Sequence, residues 1–136
     1  MIRKLDHIAI AVGNMEEAAG FYRKMLGLQL KDTEVVEEQK TRVGFFLVGE
    51  TRIELVEPAS QDSPLVRFLE TRGPGIHHLC FEVDDIESEI RSLAEKGAPL
   101  IDKAPRPGAH GTRVAFLHPK GTGGVLIELS EKPQDG

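Results

Sequence analysis

The chain has 136 residues, 40% hydrophobic and 29% charged, the balance of an ordinary soluble globular domain long enough to bury a real core. Its formal net charge of −5 argues against non-specific nucleic-acid binding, and no stretch approaches the run of about 20 apolar residues that spans a membrane. A single cysteine, Cys80, excludes an intrachain disulfide, and the polar start Met1-Ile2-Arg3-Lys4-Leu5-Asp6 is not that of a signal peptide, so the expected setting is a reducing cytoplasm.

Leu5 to Val12 alternates with period two. Ile8, Ile10 and Val12 form a bulky apolar face suited to packing under helices. His7, Ala9 and Ala11 form a small-residue face suited to lining a cavity. Asn14 then reads as a helix N-cap with Glu17 closing a capping box, and Met15, Ala18, Ala19, Tyr22, Met25 and Leu26 make one apolar helical stripe. Gly27 ends that helix in the left-handed position. Strands are expected over residues 28–36, 42–48 and 51–57, with Glu37-Glu38-Gln39-Lys40 and Gly49-Glu50 as turns. On the last of these strands Ile53 and Leu55 face one way and Glu54 the other.

A linker follows, in which Asp62-Ser63-Pro64 starts a short helix carrying Leu65, Phe68 and Leu69, broken by Gly73-Pro74-Gly75. The order of elements then repeats. His78, Cys80 and Glu82 share one face of a strand, and Leu79, Phe81 and Val83 the other. Asp84 is expected to cap a helix with Ile86, Ile90, Leu93 and Ala94 as its buried stripe, and Gly97 to end it. A short strand is expected near residues 98–102, then a Pro- and Gly-rich loop over 104–111. The last strands are expected over 112–118 and 124–130, with Val125, Ile127 and Leu129 inward and Glu128 on the other face. The polar tail from Glu131 to Gly136 is expected to be mobile.

The two halves are one unit written twice. His78 follows His7 by 71 positions, and Arg113-Val114-Ala115-Phe116-Leu117 follows Arg42-Val43-Gly44-Phe45-Phe46 by the same interval. Ile127-Glu128-Leu129 follows Ile53-Glu54-Leu55 by 74, which places three extra residues in the turn Gly121-Thr122-Gly123-Gly124. Each copy therefore contributes one early His and one late Glu, each on the face opposite the bulky apolar side chains. Any one of them alone reads more readily as a strand-end histidine or a solvated glutamate than as a ligand. As a matched set, His7, Glu54, His78 and Glu128 point to a divalent metal of the Co, Mn, Ni, Zn or Fe type. Nitrogen donors disfavour calcium, and the lack of thiolates disfavours a structural zinc. Cys80 shares the ligand face but reads as a small buried hydrophobe, His77 points away by strand alternation, and His118 reads as structural.

Two strand–helix–three-strand modules with a His on each first strand and a Glu on each last strand resemble the vicinal oxygen chelate superfamily. Within it the chain resembles the methylmalonyl-CoA epimerases over nearly its whole length. The resemblance is carried by Leu5-Asp6-His7-Ile8-Ala9, Asp62-Ser63-Pro64, Gly75-Ile76-His77-His78-Leu79, Gly108-Ala109-His110-Gly111, and Phe116-Leu117-His118-Pro119-Lys120 running on to Gly124-Val125-Leu126-Ile127-Glu128-Leu129. It implies an α+β fold in which two tandem βαβββ modules (residues 4–58 and 75–131, joined by a linker helix in 59–74) form a curved, metal-containing mixed sheet in one domain of residues 1–136.

The resemblance also implies chemistry. The activity would be metal-dependent epimerisation of methylmalonyl-CoA at C2, in a homodimer serving propionate metabolism. His7, His78 and Glu128 would be metal ligands, and Glu54 falls where relatives carry a Gln or Glu as a fourth. Removing the C2 proton leaves an enolate, which a metal bridging the thioester oxygen and the free carboxylate would stabilise. Inversion needs a proton donor on each face or one mobile base. Some relatives place a Glu for this where this chain has Val43, so the candidate bases are Glu128, acting as ligand and base, and Glu54, acting as the opposite base or as a ligand only. His110, Arg113 and Lys120 are candidate substrate contacts, with Lys103 and Arg106 as further cations for the CoA phosphates.

Two other readings compete. A glyoxalase I-like lactoylglutathione lyase uses a similar ligand set on a thiohemiacetal. A non-catalytic small-molecule binding or resistance protein of the same fold commonly lacks the ligands, and their presence here counts against it.

Overall fold

A computed structural model describes residues 1–134. The elements in order are β1 (Ile2–Ala11), α1 (Met15–Lys24), β2 (Lys31–Val36), β3 (Thr41–Val48), β4 (Thr51–Pro58), α2 (Pro64–Arg72), β5 (Gly75–Val83), α3 (Ile86–Glu95), β6 (Arg106–Pro107), β7 (Arg113–Leu117) and β8 (Leu126–Glu131). The strand–helix–three-strand order appears twice, as the repeat predicts. Among the described residues, no helix is long and apolar enough to cross a membrane.

The chain divides into two compact units, His7–His77 and a second made of Met1–Asp6 with the chain from His78 onward. In the first unit the strands run in the order β2-β3-β4-β1. There β3 is antiparallel to both neighbours, and β4 is parallel to β1 with Ala9 opposite Glu54. In the second unit β5, β8, β7 and β6 lie side by side in that order. There β5 is parallel to β8 with Cys80 opposite Glu128, and β7 is antiparallel to β8 with Phe116 opposite Glu128.

Each unit packs its helix on one face of its strands. Val12, Met15, Ala19, Phe46 and Leu55 form the first core, joined by Ile10, Tyr22, Leu28, Leu30 and Ile53. Val83, Ile86, Ile90, Ala115, Leu117 and Leu129 form the second, joined by Phe81, Leu93, Leu100 and Ile127. Ile10, Val12, Ile53, Leu55, Phe81, Val83, Ile127 and Leu129 come from the apolar strand faces that the period-two alternation marks out, whereas Met25 and Leu26 of the expected helical stripe lie beyond α1 and are exposed. Ala9 and Ala11, on the face expected to line a cavity, are themselves fully buried.

Capping fixes where the helices begin. The Asn14 side chain accepts from the Glu17 N–H at 3.0 Å, and Ser63 accepts from the Leu65 N–H with Pro64 in the first turn. Helix α3 differs from expectation. Its cap is Asp85, which accepts from the Ser88 N–H at 3.1 Å, while Asp84 pairs with Arg3 at 3.3 Å. Adjacent aspartates offer the same local chemistry, and the backbone of Asp85 is the one in the extended cap conformation. Ahead of α2, Lys40 and the Ser60 hydroxyl bond Asp62 and hold its carboxyl down at about 2.

Other expected boundaries also move. Strand β2 begins at Lys31 rather than Leu28, because the Leu28 N–H returns to the Tyr22 carbonyl around Gly27 (φ 71°) and Leu28 and Leu30 join the first core. Residues 98–102 contribute only an isolated bridge, Leu100 to Leu117, and the strand there is β6, inside the expected loop. Pro107 is tolerated because β6 lies at the end of the strand order, where no further ladder needs its missing N–H. Val125 precedes β8 and is exposed rather than inward. Glu131 belongs to β8, not to a mobile tail, and of that tail Asp135 and Gly136 lie outside the described residues.

One turn makes a steric prediction. A Cβ on Gly121 would strike the Pro99 ring, with Cδ at 2.9 Å and Cγ nearer still, whereas a Cβ on Gly20 in α1 meets nothing within 4 Å. Gly121→Ala is expected to destabilise by about 1–3 kcal/mol by overpacking. Gly20→Ala is expected to stabilise by roughly 0.5–1 kcal/mol through helix propensity. Urea midpoints of the two variants moving in opposite directions would verify the contrast.

Candidate functional site

Parallel pairing brings each histidine to its glutamate. In the first unit Glu54 sits opposite Ala9, two residues along β1 from His7. Both side chains lie on the same face, and His7 Nε2 is 3.6 Å from Glu54 Oε1. In the second unit Glu128 sits opposite Cys80, two residues along β5 from His78, and His78 Nε2 is 2.9 Å from Glu128 Oε1. The 71- and 74-residue offsets thus mark one geometry made twice. All four residues are only 6% exposed.

That burial bears on function. A carboxylate taken out of water is costly unless another group compensates it, and each glutamate here faces an imidazole nitrogen. Each pair offers one nitrogen and one carboxylate oxygen, the donor mixture that first-row divalent ions accept. The surroundings repeat too. Phe45 lies opposite Glu54 on β3, and Phe116 lies opposite Glu128 on β7. The Phe116 ring meets His78 edge-on at 5.6 Å, which limits how that imidazole can turn. A guanidinium stands over each phenyl ring, Arg52 over Phe45 at 4.6 Å and Arg106 over Phe116 at 5.7 Å.

Residues 6–116 match the Glyoxalase/Bleomycin resistance protein/Dioxygenase superfamily. Over 129 residues the chain is 41% identical to the mitochondrial methylmalonyl-CoA epimerase of Homo sapiens, covering 94% of this chain and 73% of the relative. It is also 41% identical to an ethylmalonyl-CoA/methylmalonyl-CoA epimerase of Cereibacter sphaeroides, over 96% of this chain and 99% of that one. The chain belongs to the methylmalonyl-CoA epimerase family of that superfamily. A Streptomyces coelicolor methylmalonyl-CoA epimerase variant, solved in complex with 2-nitronate-propionyl-CoA, superposes with a TM-score of 0.93 at 33% identity, over 97% of this chain and 96% of that one. Family membership makes the protein an enzyme of the racemase and epimerase class, as the resemblance implies.

Within this epimerase frame the remaining candidates fall in different places. Val43 is buried on β3, so its position carries no proton-transfer group. His110 occupies a single helical turn, Ala109–Gly111, in left-handed backbone (φ 58°, ψ 34°), a strained conformation for a side chain of that size. Lys120 is exposed in the turn Pro119–Gly121, whose N-cap is His118: His118 Nδ1 accepts the Lys120 N–H at 3.1 Å. That gives His118 the structural role expected of it. His77 turns away from the ligand face and packs edge-on to Phe68 at 4.8 Å. Cys80 is fully buried. Lys103 is exposed, and Arg106 is held by Asp102 at 3.0 Å.

Arg113, read from its charge as a phosphate contact, is engaged otherwise. Its guanidinium bonds Glu131 at 3.0 and 3.2 Å and Glu87 at 3.0 Å, and those bonds, Glu131 first, raise its pKa. Sequence reasoning also missed the carboxylates Glu57 and Glu131, although both lie on the repeat offset that singles out Glu54 and Glu128.

Proposed function

We propose that the protein is a metal-dependent methylmalonyl-CoA epimerase in which the two His–Glu pairs serve one divalent ion of the Co, Mn, Ni or Zn type. The observation that carries this reading is the duplicated, buried pair: His7 with Glu54 and His78 with Glu128 at matching register. Relatives whose names state this activity support the substrate. The resemblance adds a homodimer and a place in propionate metabolism, and the lone Cys80 fits a cytoplasmic setting.

An ion held there would supply Lewis-acid stabilisation of the charge that builds on the thioester oxygen. The chain's own residues do the rest. Glu128 takes the C2 proton as well as serving as a ligand, and its pairing with His78 holds the carboxylate in one orientation. Glu54, a weaker donor to the ion than Glu128, enters the step as the carboxylic acid, gives its proton to the opposite face of the planar intermediate and leaves the step as the carboxylate. Because Val43 contributes no acid, both proton transfers fall to these two carboxylates. Burial of the pairs excludes water, which would otherwise compete for the carboxylates and for the intermediate. His110 and Lys120 contact the acyl-CoA.

Proton NMR of (2R)-methylmalonyl-CoA in D₂O, with and without EDTA, tests the proposal. The expected result is loss of the C2 proton signal that EDTA abolishes, with the 2S epimer appearing in a coupled mutase assay. No exchange by the metal-loaded protein would overturn the substrate assignment. Turnover of methylglyoxal with glutathione would then assign the glyoxalase I-like reading.

A further inference from the structure

Two buried-edge carboxylates, Glu57 and Glu131, take no part in the proposed reaction, yet they repeat as faithfully as the ligand pairs. Glu57 Oε2 accepts the N–H of Met15, the first residue of α1, at 2.6 Å. Its other oxygen receives Arg42 at 3.4 Å, and Arg42 also reaches Glu16 at 3.5 Å. In the second unit Glu131 Oε2 accepts the N–H of Ile86, the first residue of α3, at 2.8 Å, while Arg113 bridges Glu131 and Glu87. Met15 and Ile86, Glu16 and Glu87, and Arg42 and Arg113 are each 71 positions apart, whereas Glu57 and Glu131 are 74 apart, like Glu54 and Glu128. The side chains of Glu57 and Glu131 are 17% and 12% exposed.

Each clamp lies three residues beyond a glutamate of the candidate metal centre, at the end of the same strand. It joins that strand end to a helix N-terminus, which favours negative charge, and to an arginine on the neighbouring strand. The strand is thereby pinned against sliding, and strand register decides which residue faces the histidine. We propose that Glu57 and Glu131 are positioning residues: Glu57 sets Glu54 against His7, and Glu131 sets Glu128 against His78. Their effect on metal rests on the function proposed above, but their effect on the histidines does not.

The test uses the full chain with ¹⁵N-labelled imidazoles, first without metal. Glu131→Gln keeps an acceptor for Ile86 but loses the charged bond to Arg113. It is expected to shift the His78 resonances and leave His7 in place, and Glu57→Gln is expected to do the reverse. Zn²⁺ titration then reads the consequence: about tenfold weaker binding in each variant, the lower end for losing a residue that supports a ligand. Adding Arg113→Met to Glu131→Gln should cost nothing more, since the arginine acts through the glutamate. If a glutamine variant does not fold, Arg42→Lys and Arg113→Lys keep the charge but lose the forked geometry, and the same selective shifts are expected. A lower melting temperature with the variant's own histidine unmoved, or with both histidines moved alike, would overturn the proposal and leave simple helix caps. Selective shifts in a protein that binds no Zn²⁺ would uphold the positioning role and sink the metal centre instead.

Discussion

Glu128→Gln is expected to slow C2 proton exchange by about a thousandfold, within the range that a general base contributes. The amide keeps the size and shape of the side chain, so packing opposite Phe116 and Cys80 survives. It loses the two things proposed for this position: a group that accepts a carbon-bound proton and an anionic metal donor. The melting temperature should therefore stay near that of the parent while exchange and Zn²⁺ affinity both fall. Glu54→Gln separates the two roles. If Glu54 serves the opposite face, that variant should still wash the C2 proton of one epimer into D₂O while failing to convert it to the other. Exchange by Glu128→Gln within tenfold of the parent would remove this residue from the chemistry.

The largest expected effect on stability is at Phe46→Ala, about 3–5 kcal/mol. Phe46 is completely buried, lies opposite Ile53 on β4, and stacks on Tyr22 at 4.9 Å with the rings 29° apart. Met15 and Leu55 share its cluster, so the ring ties α1 to β3 and β4. Removing it leaves a cavity lined by groups anchored to a helix and two paired strands, which have little freedom to collapse. Set against a typical domain stability of about 5–15 kcal/mol, such a loss is a large fraction of the total. A urea titration showing a shift below 1 kcal/mol would mean that this core closes around the gap.

Much of this was legible in the residues because it depends on neighbours in sequence. Alternation with period two assigns each side chain to a face without knowing which strand lies alongside, so His7 and Glu54 could be placed opposite the apolar residues. A cap such as Asn14 or Ser63 bonds an N–H two or three residues on, within reach of local rules. Where two residues offered the same local chemistry, the rule failed, and Asp85 rather than Asp84 caps α3.

The duplication, the four metal-capable side chains and the family were determined by the sequence alone, because a repeat offset and a motif are properties of the chain as written. Which strands pair, and in what register, was decided only by tertiary structure. That register brings His7 to Glu54 across 47 positions and turns Arg113 from a free cation into a bridge between Glu87 and Glu131. The physical reason is reach. A long charged side chain bonds whatever partner the folded backbone sets within about 3 Å, and residues distant in sequence meet only once the strands are paired.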